Sequence, residues 1–313
     1  MDYPHPPRGL IVDLITPLDK HGSLDVRGLE SHLERIMPHV DGILLASPWA
    51  GEGAYLSLRT RKELLQRAIS CASADLALLV WITGPTEELT RQNLIALQKA
   101  SEIALLDRPI YWVDTPLLYH SNRGLPHLYQ ELYELGSRPF ILINDPNSVT
   151  KVRGAMKRKN IRTSILKELA GTNFISGVIF LGPLERAYNY QKATRAKSGF
   201  RLYEGDEARF LDYPSLSGVI SAGANLAPQQ WRTITDSSLN LVEEIDQYPD
   251  SLKQLWETGQ FLHQLHGLYS VNQASLIKST LGRIGTLEYI GAFHADNRNF
   301  AAITEKIVKL MSQ

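Results

Sequence analysis

Eight short runs of nearly continuous apolar character, each followed by an amphipathic stretch, constrain this chain more than any other feature. The runs are Gly9–Ile15, Val40–Ala46, Leu76–Ile82, Pro109–Val113, Pro139–Ile143, Ile175–Phe180, Phe200–Glu204 and Gly218–Ser221. Apolar residues on both sides of a strand are what a parallel sheet covered on both faces requires. The stretches between them predict helices over 27–37, 58–72, 86–104, 124–135, 161–170, 182–196, 207–213 and 227–245. Eight such pairs joined by short loops predict an α/β fold, a closed (β/α)8 TIM barrel. A doubly wound open sheet would carry fewer strands and a Gly-rich first turn, and neither feature is present. After the eighth pair the pattern is helical only, at about 250–266, 271–283 and 296–311. The chain therefore divides into a barrel over 1–246 and C-terminal helices over 247–313, packed on it as one structural domain. No Pro/Gly/Ser-rich linker separates the two.

Charge and motifs exclude several function classes. Lys+Arg number 33 and Asp+Glu 33, for a formal charge of +0, so no basic field gathers nucleic acid or an anionic membrane. The apolar runs are too short to span a bilayer. The opening MDYPHPPRG lacks the apolar core of a signal peptide, which makes a cytoplasmic location the expectation. The single Cys71 leaves no intramolecular disulfide and no multi-Cys zinc site. Neither a G-x-x-x-x-G-K-[ST] phosphate loop nor a G-x-G-x-x-G fingerprint occurs. His263 and His266 stand three apart on an expected helix, a spacing that suits a metal, but with no acidic partner in view they read as helix-surface or interface histidines. Gly205-Asp206-Glu207 resembles an acidic ligand cluster, but a strand-end turn entering a helix, where the helix dipole favours acids, explains it as well and is the preferred reading.

A set of ordered segments then resembles one family. Ile15-Thr16-Pro17-Leu18 with Gly22-Ser23-Leu24-Asp25, Asp41-Gly42-Ile43-Leu44 leading to Gly51-Glu52 and Leu56-Ser57, and Thr115-Pro116 before Gly124-Leu125 form its first half. Asn144 with Pro146, Gly177-Val178-Ile179, Glu204-Gly205-Asp206, Gly218-Val219-Ile220-Ser221 with Ala224-Asn225, and Ile277-Lys278 with Leu281 and Gly285 complete it. The series resembles the dihydrodipicolinate synthase and N-acetylneuraminate lyase family along essentially the whole chain. That resemblance implies a (β/α)8 barrel, a homodimer or homotetramer, and class I aldol chemistry on pyruvate through a lysine Schiff base.

At the matching positions the residues of that chemistry are missing. The position resembling the Schiff-base lysine is Ile179, and the one resembling the proton-shuttling tyrosine is Ile143. The carboxylate-binding Thr pair reads Trp49-Ala50, and the arginine for a second substrate reads Ser148. The first Tyr pair reads Leu117-Leu118, with Tyr119 next. Lys167 and Lys192, the nearest lysines, fall on helix patterns outside the barrel. An isoleucine forms no imine, so the resemblance carries the fold without the chemistry.

Other positions changed toward charge. Asp13 lies in the first strand, Asp114 ends the fourth, Asp145 follows the fifth, Glu204 ends the seventh, and Glu52 is kept in the G-E loop. Strand C-terminal ends converge on one mouth in this architecture. The expected pocket is lined by Asp13, Trp49, Ala50, Glu52, Asp114, Tyr119, Ile143, Asp145, Ile179, Glu204 and Ile220, with Trp81 and Trp112 nearby. Asp13 and Asp114 are expected to face an apolar centre made by Ile179 and Ile143. Asp13 is placed inward by phase, sharing a face with Ile11 and Ile15, and by the family's small pocket residue there.

Three outcomes stand open for these carboxylates: a Mg²⁺, Ca²⁺ or Mn²⁺ site, acid/base chemistry on a neutral or cationic ligand, or plain structural hydrogen bonding. No cofactor is expected. Two function classes follow: a barrel repurposed for acid/base chemistry on a small polar metabolite, or a pseudoenzyme that binds a ligand or assembles with a partner. The strip Tyr111, Trp112, Leu117, Leu118, Tyr119 is expected at a subunit interface, by the family's packing.

Overall fold

The computed structural model describes residues 3–103, 108–153, 158–214, 216–239, 250–289 and 300–312. Its strands are β1 (Gly9–Asp13), β2 (Gly42–Leu45), β3 (Ala77–Trp81), β4 (Ile110–Asp114), β5 (Phe140–Asn144), β6 (Ile175–Phe180), β7 (Arg201–Glu204) and β8 (Gly218–Ser221). All pair in parallel in sequence order, and β8 returns to β1 to close the barrel. The open-sheet alternative is excluded by that closure.

The helices follow the strands: α1 (Val26–Ile36), α2 (Leu58–Cys71), α3 (Glu87–Ser101), α4 (Leu125–Gly136), α5 (Pro146–Arg153), α6 (Thr163–Ala170), α7 (Leu184–Thr194), α8 (Glu207–Asp212) and α9 (Pro228–Ser238). Side-chain caps start several of them. Asp25 accepts from Gly28 N–H, Ser57 from Thr60 N–H and Thr86 from Leu89 N–H, each satisfying a donor that a helix start leaves free. Sequence reasoning missed α5. Asp145 accepts from the N–H groups of Asn147 and Ser148 at 3.0 Å, and Pro146 stands at its first position, a cap-then-proline start. The tail of the expected 227–245 helix, the start of the 296–311 helix and the 246/247 division lie outside the described residues.

Beyond the barrel come α10 (Asp250–Tyr269), α11 (Gln273–Arg283) and α12 (Phe300–Met311). These are tied to the barrel by polar contacts as well as packing. Tyr269 of α10 donates to Glu207 at 2.8 Å, and Lys278 of α11 is buried against Glu52.

Strand alternation divides the apolar residues into two cores. Ile11, Leu44, Leu79, Tyr111, Val113, Ile141, Ile143, Ile179, Tyr203 and Ile220 fill the barrel interior. Leu10, Val12, Ile43, Trp112, Phe140, Val178 and Phe180 face the helices instead. The N-terminal segment stoppers the bottom: Tyr111 donates to the Pro4 carbonyl at 2.6 Å and Tyr203 to the Pro7 carbonyl at 2.5 Å. Buried phenol hydroxyls require such partners.

The alternation removes three residues from the expected interface strip. Tyr111 and Trp112 are fully buried, Leu117 nearly so, within this one chain. Leu118 and Tyr119 are partly buried and keep some surface.

Candidate active site

The upper end of the barrel holds a cavity of about 420 Å³, walled by strand ends β1 and β8, the loops after β2 and β7, and α10. Asp13, the last residue of β1, reaches it because Ile11 two residues earlier faces the interior. Ile15, expected on that face, lies beyond the strand and packs with the outer core.

The loop after β2 folds back to meet Asp13. Ser47 Oγ accepts from Trp49 and Gly51 N–H at 3.1 and 3.0 Å, and Ala50 N–H donates to Asp13 Oδ2 at 3.2 Å. Gly53 is needed for this fold-back, since a Cβ there would stand 1.8 Å from the Ala46 carbonyl oxygen. Asp13 Oδ1 is buried and makes no hydrogen bond. Burial pushes the Asp13 carboxyl up to about 7, with the nearby Glu207 charge adding to it; Ser47 and the backbone N–H groups of Ala50 and Gly51 oppose the rise.

Across the cavity stands a group that the sequence offers within the Gly205-Asp206-Glu207 turn, where the helix-start reading is preferred to an acidic cluster. Asp206 caps α8, as the turn-and-helix reading expects, but Glu207 beside it is buried and turned inward. Its Oε1 accepts from Ser221 Oγ at 2.6 Å and Gly223 N–H at 2.8 Å; its Oε2 accepts from Tyr269 at 2.8 Å. Burial raises the Glu207 carboxyl despite these donors. His266 Nε2 stands 4.0 Å from Glu207 Oε2, with its ring edge-on to Tyr269. This corrects the helix-surface reading of His266. His263 likewise has an acidic neighbour, Asp212 Oδ1 at 3.4 Å. A helix-face count would have found His266, which lies four after Leu262 and three before Tyr269, both buried.

Several expected pocket residues stand elsewhere. Asp114 points outward to the helices, because Tyr111 and Val113 take the inward positions of β4. It accepts hydroxyls from Thr83 (2.6 Å), Tyr119 (2.6 Å) and Tyr129 (2.7 Å), so neither it nor Tyr119 faces the barrel centre. Glu204, outward of Tyr203, is paired with Arg209, whose Nε lies 2.7 Å away. Glu52 is paired with Lys278. Asp145 caps α5 and only touches the site through the Trp49 indole at 3.4 Å. Trp81 sits in the barrel interior, donating to Thr115 Oγ1 at 3.0 Å, and Trp112 faces outward, donating to the Gly136 carbonyl.

What the structure does bring together is Asp13, Trp49 and Ile220 at the cavity, with Ala50 behind Asp13 and Ile143 and Ile179 buried in the interior core. Among the described residues no lysine or arginine lines the cavity. Lys167 and Lys192 are exposed on α6 and α7. Among the described residues no three His, Cys, Asp or Glu side chains are arranged to share one metal ion.

A sequence model of the dihydrodipicolinate synthetase family matches residues 6–260. The 4-hydroxy-tetrahydrodipicolinate synthase of Shewanella pealeana is 28% identical over 242 residues, covering 74% of this chain and 75% of that one. That of Dichelobacter nodosus is 23% identical over 284 residues, covering 89% and 88%. Among solved structures, dihydrodipicolinate synthase from Bacteroides thetaiotaomicron superposes with a TM-score of 0.79 at 18% identity, covering 99% of each chain. Sialic acid aldolase of Ruminococcus gnavus superposes with a TM-score of 0.78 at 14% identity, covering 97% of each. At these identities the two superpositions establish the fold.

Proposed function

This chain belongs to the dihydrodipicolinate synthetase family, and from that premise we propose that it has left the pyruvate Schiff-base reaction and performs acid/base chemistry on a small polar metabolite. The observation that carries the proposal is the Asp13 carboxyl: buried at the cavity, with Oδ1 unpartnered. A carboxyl poised about 7 exchanges its proton readily at neutral pH, which is the property a general base needs. Glu207 and His266 stand across the same cavity as a second proton-handling pair. The departure from imine chemistry is supported by Ile179, an alkyl side chain in the interior core, and by Ile143 beside it on the paired strand.

The test is trapping with pyruvate and borohydride, read by intact mass. No adduct is expected. A stable adduct on any lysine overturns the proposed loss of imine chemistry.

A second reading, a pseudoenzyme that binds a ligand or serves an assembly, is favoured by the alkyl side chains of Ile143 and Ile179 in the interior core, with Ile220 at the cavity. It predicts ligand binding at the cavity with no turnover. A homodimer or homotetramer remains part of the proposal on the family resemblance alone, and sedimentation showing a monomer at micromolar concentration removes it.

A further inference from the structure

The ligand class of this cavity follows from its charges, and the inference rests on the cavity's being the ligand site. We propose that it takes a small organic cation, an amine whose ammonium group sits at Asp13 with its carbon body against Trp49.

Three observations converge. Asp13 Oδ1 is a buried acceptor with no donor, at the wall of the cavity. Such an atom is costly unless something in the cavity donates to it. The ionisable lining is otherwise Asp206, Glu207 and His266, with no lysine or arginine among the described residues. A keto acid would bring a second negative charge beside Asp13 and, among the described residues, find no lysine or arginine to pair with. Finally, the indole of Trp49 offers an aromatic surface to an organic cation. An inorganic cation fits less well: both Glu207 oxygens already accept from Ser221, Gly223 and Tyr269, and no three-ligand cluster is formed among the described residues.

Among the described residues, the titratable groups lining the cavity with Asp13 are Asp206 and Glu207 at the start of α8 and His266 on α10, with Tyr269 of α10 donating to Glu207. Glu52, on the loop beside it, is paired with Lys278. With Asp13 titrating about 7, ammonium binding should weaken about tenfold from pH 8 to pH 6.

The experiment uses an isosteric charge series, n-butylamine, 1-butanol and butyrate, followed by saturation-transfer NMR on the full chain. Butylamine is expected to bind tightest at pH 8, to weaken about tenfold at pH 6, and to lose at least about tenfold in affinity in Asp13→Asn. Should that variant not fold, the pH dependence of the wild-type chain decides. Butyrate binding as well as butylamine overturns the cation assignment while leaving acid/base chemistry at the cavity intact. Displacement of butylamine by millimolar Mg²⁺ or Ca²⁺ assigns the site to a metal and also overturns it. No transfer to any of the three probes overturns the inference as well, and the borohydride result separately judges the reading beneath it.

Discussion

Holding Asp13 inside the barrel should make the folded chain lose stability as pH rises, and the size of that loss can be worked out. In the unfolded chain the carboxyl titrates at its ordinary value of 3.8; in the fold burial pushes it up to about 7. Below 3.8 both states keep the proton and Asp13 adds no pH dependence. Between the two values the folded state holds a proton that the unfolded state has released, so stability falls about 1.4 kcal/mol per pH unit. Above 7 the full loss is present, about 4 kcal/mol. Asp13→Asn is isosteric, keeps an oxygen for the Ala50 N–H and does not titrate. The gap between the variant and the wild type should therefore move in favour of the variant by about 3 kcal/mol between pH 5 and pH 8. Glu207, also raised by burial, contributes a slope of the same sign to both proteins and largely cancels in the difference. Urea unfolding followed by tryptophan fluorescence at the two pH values measures the gap. Parallel pH dependence in the two proteins, or a variant that loses ground on going to pH 8, would refute the reasoning.

Three further outcomes can be checked. Lys278→Met removes the buried ammonium group paired with the Glu52 carboxylate and should cost about 3–5 kcal/mol in the same unfolding assay; Glu52→Gln/Lys278→Met should recover more than half of that. Tyr129→Phe removes one of three hydroxyls from buried Asp114 and should cost about 1.5–3 kcal/mol, yet leave butylamine affinity unchanged, because Asp114 faces the helices. Ile179→Lys should give no pyruvate condensation in a product assay. The new ammonium group would pair with Asp13 rather than react, and the tyrosine and threonines of the family reaction would still be missing; measurable condensation by this single variant refutes the account of the site.

The barrel was legible in the sequence because its strands are covered on both faces. All eight apolar runs are strands, with bounds shifted by up to two residues. The same property hides the phase of each strand, and phase is what decides whether a strand-end carboxylate lines a pocket or faces a helix. Asp13 and Asp114 look equivalent in sequence and end on opposite sides of the barrel wall. The Glu52–Lys278 pair, joining residues 226 apart, carries no local signal at all.

A sharper test than strand phase was available on the helices. An outward carboxylate must be met by a donor on the buried face of the covering helix, whereas an inward one need not be. On α4 the buried face runs Leu125, Leu128, Tyr129, Leu132, and the phenol in an otherwise leucine stripe is the donor that Asp114 requires. Arg209 on α8 plays that part for Glu204. The buried face of α1 carries one polar side chain, His32, and its Nε2 is engaged by Asn225 Oδ1 at 2.9 Å. Asn225 in turn donates to the backbone carbonyl of Asp13, leaving the carboxyl to the other side of the wall. The inward direction of Asp13 follows from strand phase, with Ile11 two residues earlier also inward and Asn225 holding the Asp13 backbone from the outer side. Its Oδ1, which makes no hydrogen bond, is left for a ligand to satisfy.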